Sequence, residues 1–268
     1  MSIKNLKKLV FGGAVAVAFS ALSTGAMAES KTIKMGVTPG PHAEIMEVVQ
    51  GIAAEQGLEI EILEFSDYVQ PNAALEAGDL DANSYQHEPY LQQQIQDRGY
   101  RLVSAAPTVI YPLGLYSNKV EAIDTVEDGA SIAIPNDPSN GGRALMLLED
   151  SGLLSLKEGV GAEATLLDVV DNPKNLRIVE LDAAQLPRSL DDVALAAINT
   201  NFAMEAGLVP VEDALVLESS DSPYANLIVV REEDKDAEWV KTLIDSYHTP
   251  EVKEFILENF EGSLIPVW

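Results

Sequence analysis

An α/β fold in two lobes follows from three features of the 268-residue sequence. Short apolar strands alternate with amphipathic helices along most of the chain, a pattern that favours parallel strands joined by helical crossovers. No tract rich in glycine, serine or proline separates the halves, so ordered chain rather than a flexible tether should join them. Apolar residues make up 47% of the chain and cysteine is absent, so burial rather than disulfides must supply stability.

Residues 1–28 read as a cleaved secretory signal. Lys4, Lys7 and Lys8 precede an apolar run over 9–22 that is too short to span a bilayer, and Ala26-Met27-Ala28 forms an A-x-A cleavage site. Residues 32–37 then give a first strand, followed by the turn Thr38-Pro39-Gly40-Pro41. Ile45, Val48, Val49 and Ile52 recur on one helical face, closed by Gly57. Residues 58–65 alternate as a second strand, 71–77 make a short helix stopped by Gly78, 81–85 a third strand and 89–98 a helix. A second unit begins near Val120. It reads as strand 131–134, helix 144–149 ended by Gly152, strand 176–181, short helix 184–190, strand 193–198 and a helical 199–206 stopped by Gly207. An extended stretch, 225–230, leads to two last helices over 236–247 and 250–260. Thr249 caps the second, with Pro250 at its first position. One lobe takes residues 29–114 and 226–268, the other 115–225, with strand-like crossings at 111–117 and 225–231. A ligand cleft belongs between such lobes, where strand ends and helix starts converge.

Charge narrows the partners. The formal net charge is −26, and the signal holds only lysines, so the remainder is more acidic still. Nucleic acid is excluded as a partner and an anionic membrane surface is disfavoured. Three histidines and no cysteine predict no metal site. No G-x-S-x-G elbow, P-loop or H-E-x-x-H motif occurs, so neither catalytic residues nor a cofactor are expected.

Three groups could bind a small molecule. In "IPNDPSNGGRAL" a strand runs into a capped helix start with two glycines and Arg143. Backbone N–H groups there, with Ser139 or Asn140 as cap, suit an anion, and the Arg143 fork suits a carboxylate. Arg143 could equally pair with one of the chain's many acids. Tyr68, Tyr85, His87 and Tyr90 cluster near strand ends as amphipathic walls, although each alone could be core packing. Asn199 and Asn226 sit at strand ends, where an amide can bridge the two charges of a zwitterion or simply shape a turn.

The segments "TPGPHAEI", "FSDYVQPN", "DANSYQHEPYL", "IPNDPSNGGRALMLLE", "NPKNLRIVELDAAQLPRSLDDV", "AAINTNFA" and "DSPYANLIVVRE" resemble, in the same order, the motifs of the NlpA/MetQ family of methionine-binding substrate-binding proteins of ABC importers. The resemblance covers essentially all the chain after the signal. It implies a two-lobe periplasmic binding protein fold, type II-like, that closes on an amino acid and does no chemistry. Arg143 would hold the ligand carboxylate, with Asn140 a weaker candidate. Asn199 and Asn226 would bond the amino and carboxylate groups, and Tyr68, Tyr85 and His87 would enclose the thioether. L-methionine is the expected ligand; D-methionine, a methionine dipeptide and another apolar amino acid are alternatives. An ABC permease is the expected partner, and the protein is expected to be a monomer. A periplasmic dehydratase or lyase on the same scaffold is the rival, with His87 as its acid or base.

Two departures from the family pattern lead to further expectations. Family members are tethered through a lipidated cysteine, and this chain has none, so no lipid anchor and free diffusion in a periplasm are expected. Tyr85 stands where phenylalanine is common, and its hydroxyl needs a partner in a thioether pocket.

Overall fold

The computed structural model describes residues 31–219 and 222–268. The signal segment, 1–28, lies outside the described residues. The strands are β1 (Lys31–Val37), β2 (Leu58–Glu64), β3 (Ala82–Asn83), β4 (Leu102–Ile110), β5 (Gly114–Tyr116), β6 (Ser131–Pro135), β7 (Ser155–Leu156), β8 (Val169–Asp171), β9 (Arg177–Leu181), β10 (Leu195–Ile198), β11 (Val216–Leu217), β12 (Ala225–Arg231) and β13 (Ile265–Pro266). The helices are α1 (Pro41–Glu55), α2 (Gln70–Ala77), α3 (Glu88–Arg98), α4 (Pro138–Asp150), α5 (Thr200–Glu205), α6 (Pro210–Asp213), α7 (Glu238–Tyr247) and α8 (Pro250–Asn259).

Two curled sheets form the lobes. The larger runs β13-β4-β12-β3-β1-β2, and the second runs β11-β5-β10-β6-β9. β1 pairs in parallel with β2 and β3, and β12 returns antiparallel between β3 and β4. The chain leaves the larger sheet after Ile110 and enters the second at Gly114; it leaves that sheet after Leu217 and rejoins the larger one at Ala225. The stretch 225–231 is therefore a strand of the larger sheet, and the passage back precedes it.

Apolar periodicity explains what packs where. Ile45, Val49 and Ala53 of α1 meet Ile33, Met35, Ile228, Leu243, Val252 and Ile256, all fully buried. Trp239 belongs to this same core, with the Lys31 ammonium 5.0 Å from its ring, and Trp268 stacks on His248. On the second sheet, Ala144, Leu145 and Leu148 of α4 bury against Ile132, Ile134 and Leu195.

Several readings of the sequence differ from the structure. The third strand shortens to Ala82–Asn83; the chain bends at Tyr85 before His87 bridges Asn226 of β12. β4 went unread: its buried positions do not alternate regularly, and Pro107 lies within it. The helix expected over 144–149 begins six residues earlier, at Pro138. Its cap is Asp137, whose carboxylate accepts from the Asn140 N–H at 2.9 Å, rather than Ser139 or Asn140. The glycine pair serves packing: a Cβ on Gly142 would run into the carbonyl oxygen of Ala162, so only glycine lets α4 come this close to the 161–164 segment.

Candidate binding site between the two sheets

The seven site residues expected from the sequence line one cavity between the sheets: Tyr68, Tyr85, His87, Asn140, Arg143, Asn199 and Asn226. Tyr90, Gln86, Tyr111, Thr200 and Asn201 complete the lining. The space not filled by atoms is about 330 Å³, counted out to the cleft mouth.

The larger-sheet wall is aromatic. Tyr85 and Tyr90 both donate their hydroxyls to the backbone carbonyl of Tyr68, at 2.9 and 2.8 Å. The Tyr85 hydroxyl thus has its partner within the protein. Tyr68 donates to Asn201 Oδ1 across the cleft at 2.5 Å and packs against Phe202, with ring centroids 4.9 Å apart. Below Gln86 lies a buried amide cluster: Asn72 donates to Gln86, and Gln86 donates to Asn72 and Asn83.

His87 caps α3, its Nδ1 accepting the Tyr90 N–H at 3.2 Å. A ring nitrogen that accepts leaves the proton on Nε2, which donates to Asn140 Oδ1 at 3.1 Å. Burial holds the ring neutral, its pKa down at about 3, and the Arg143 charge acts in the same direction. His42 lies behind the wall, stacked on Tyr111 at 4.3 Å, and its Nε2 accepts from Asn226 at 2.9 Å. Burial lowers its pKa to about 3 as well.

The second-sheet wall is polar. Asn140 Nδ2 donates to both carboxylate oxygens of Asp137, which turns Oδ1 toward His87 and Asn199. Burial raises the Asp137 pKa against the bonds from Asn140 and Ser139 that stabilise its charge. Asn199 Nδ2 donates to Asn140 Oδ1 at 2.9 Å, while Asn199 Oδ1 is buried with no partner among the described residues. Among the described residues the hydroxyl of Tyr111 is likewise buried and unpartnered. Such groups cost free energy, about 1–3 kcal/mol each, unless something bonds them. Arg143 is 3% exposed and paired with Glu218, so it both faces the cavity and has an acid partner. Among the described residues no cluster of His, Asp and Glu is placed to hold a metal ion.

Of the residues missed, Thr200 and Asn201 follow Asn199 directly at a strand-to-helix junction, and that run of polar residues was the available signal. Tyr111 follows β4, which the sequence pattern does not show, and Gln86 lies one residue past the strand expected over 81–85.

Comparison with known proteins places this architecture. Residues 33–268 match the NlpA lipoprotein family. The chain belongs to that family. The D-methionine-binding lipoprotein MetQ of Salmonella typhimurium is 52% identical over 239 residues, 88% of each chain. A nutrient-binding protein from Burkholderia cenocepacia, solved bound to methionine, is 55% identical with a TM-score of 0.87, covering 88% of this chain and all of that one. An ABC transporter periplasmic substrate-binding protein from Coxiella burnetii is 49% identical with a TM-score of 0.85, over 88% of this chain and all of the other. The two-lobe binding-protein fold is thus shared with solved relatives.

The expectation of an unlipidated, freely diffusing protein is corrected by the same comparison. The family is one of lipoproteins, and the Salmonella relative carries that name, so a lipid anchor is the family's arrangement. The contrary expectation rested on a count of one residue type.

Proposed function

We propose that this protein is a substrate-binding protein that captures methionine and hands it to an ABC importer. One observation carries the reading: among the described residues, a guanidinium whose Nη1 is left over and a buried amide oxygen without a partner share an aromatic-walled cavity. A zwitterionic amino acid satisfies both, its carboxylate on Arg143 and its ammonium on Asn199 Oδ1, with Asn226 and Asn140 completing the polar end. Tyr68, Tyr85 and His87 would receive the thioether, whose polarisable sulfur gains from aromatic contact. The relatives named or solved with methionine support the same ligand.

Ligand contacts from both walls bias the lobes toward closure. With nine non-hydrogen atoms and half the best attainable efficiency, methionine would bind with roughly −7 kcal/mol, about ten micromolar. The protein would be a carrier without chemistry of its own: His87 has both ring nitrogens engaged and stays neutral, which suits a wall better than an acid or base.

Calorimetric titration of unfolded and refolded protein tests the reading. L-methionine, D-methionine, leucine and glycyl-methionine are compared. One-to-one binding of a methionine enantiomer above leucine is expected; the Salmonella relative's name makes D-methionine an essential arm. Failure of both enantiomers refutes the ligand, and conversion of the bound amino acid, seen by NMR, refutes the carrier.

A further inference from the structure

Arg143 is held from several sides by groups outside the cavity lining as well as within it. Nε donates to Glu218 Oε1 at 3.0 Å, and Nη2 donates to Glu218 Oε2 and to the Tyr111 carbonyl at 2.9 Å. The Tyr224 ring covers one face of the guanidinium, 4.2 Å from centroid to carbon. A guanidinium has five N–H groups in a rigid fork. Among the described residues the bonds of Arg143 run through Nε and Nη2, which leaves the two N–H groups of Nη1 for a ligand.

Glu218 is itself anchored where the chain passes between the sheets. Its N–H donates to the Leu113 carbonyl at 2.8 Å, and its Oε2 accepts the Leu113 N–H at 3.3 Å. Glu218 follows β11 and Leu113 precedes β5, so this one carboxylate joins the outward and return passages to Arg143. Glu218 does not line the cavity.

We propose that Glu218 is the positioning residue of the site: it clamps the Arg143 fork from behind, keeps Nη1 presented to the cavity, and so sets affinity for a ligand carboxylate without touching the ligand. The inference rests on the methionine reading above. Two effects of the glutamate oppose each other. Its charge repels an incoming carboxylate, but through the intervening cation, whereas its paired bonds on Nε and Nη2 fix the guanidinium plane and with it the direction of Nη1. Charge-assisted bidentate bonds are strong and directional, so the clamp outweighs the repulsion. The variant E218Q keeps the shape but sets an NH₂ group against an N–H donor, which breaks one arm of the clamp. E218D keeps the charge and withdraws it by one methylene.

The test titrates wild type, E218Q and E218D with L-methionine and D-methionine, and with the corresponding methioninamides, which lack the carboxylate, at millimolar concentration. E218Q should weaken methionine binding by about tenfold or more and leave methioninamide binding within about twofold, with E218D in between. In an Arg143→Ala background, E218Q should add nothing. Equal loss for methionine and its amide would show a merely structural residue and overturn the proposal, as would unchanged methionine binding. If E218Q does not fold, E218D is judged by the same criterion. A wild-type protein that binds neither methionine enantiomer takes down the ligand reading and this inference with it. A wild type that binds while E218Q is unaltered takes down only the inference.

Discussion

On the larger-sheet wall, Tyr85 and Tyr90 commit their hydroxyls to one backbone carbonyl, that of Tyr68, and both line the cavity. On the second-sheet wall, among the described residues, Asn199 keeps an acceptor without a partner and the bonds of Arg143 run through Nε and Nη2, leaving Nη1. Both walls are built from polar residue types, yet Tyr85 and Tyr90 on the first have satisfied their polarity internally, whereas Asn199 and Arg143 on the second hold some in reserve. The first therefore sets shape and the second sets charge. The same residue type can serve either end, depending on where its hydrogen bonds go.

Removing the reserved charge should break this contrast most severely. Arg143→Ala is expected to cost more than about 2 kcal/mol of methionine affinity in calorimetry, since the ligand carboxylate loses its cation while Glu218 loses its own. Unchanged affinity would mean the second wall does not read charge.

The neutral histidines give the next effect. His42 and His87 have folded pKa values of about 3, below the unfolded 6.5, so the unfolded chain takes up protons first as pH falls. Their contribution is complete above pH 6.5 and is lost below it, by about 1.4 kcal/mol per pH unit for each ring, down to about pH 3. In denaturant titrations, His87→Gln should lose about 2 kcal/mol less stability than wild type between pH 7 and pH 5. An equal loss would mean that His87 is protonated in the fold.

Asn199→Ala should lower methionine affinity by about 1–2 kcal/mol, through the missing acceptor and the freed Asn140 oxygen. The smallest change sharpens the comparison from the other side. Tyr85→Phe removes a hydroxyl that bonds protein rather than ligand, so thermal stability should fall by about 1 kcal/mol with affinity hardly altered. A large affinity loss there would show that the Tyr85 hydroxyl meets the ligand rather than the protein.

The alternation of strands and helices was legible because period-2 and period-3.6 patterns are local. β4 was not, since its pairing with β12 and β13 is settled by partners distant in sequence. The expected site residues lay in motifs that recur together, whereas Tyr111 and Glu218 enter the site region through the passages between sheets. Spacing in sequence does not show which acid among 43 acidic residues will meet one arginine. That selection belongs to tertiary structure, as does the choice of Asp137 over its neighbours as the cap of α4.

The placement of the aromatic residues also decides how binding can be seen. Trp239 lies in the larger-sheet core, and Trp268 is stacked on His248; neither lines the cavity. Tryptophan emission will therefore report on the body of one lobe and respond little when the cleft fills. The optical signature of an arriving ligand belongs to the tyrosine bands of the near ultraviolet, where Tyr68, Tyr85 and Tyr90 are themselves the chromophores.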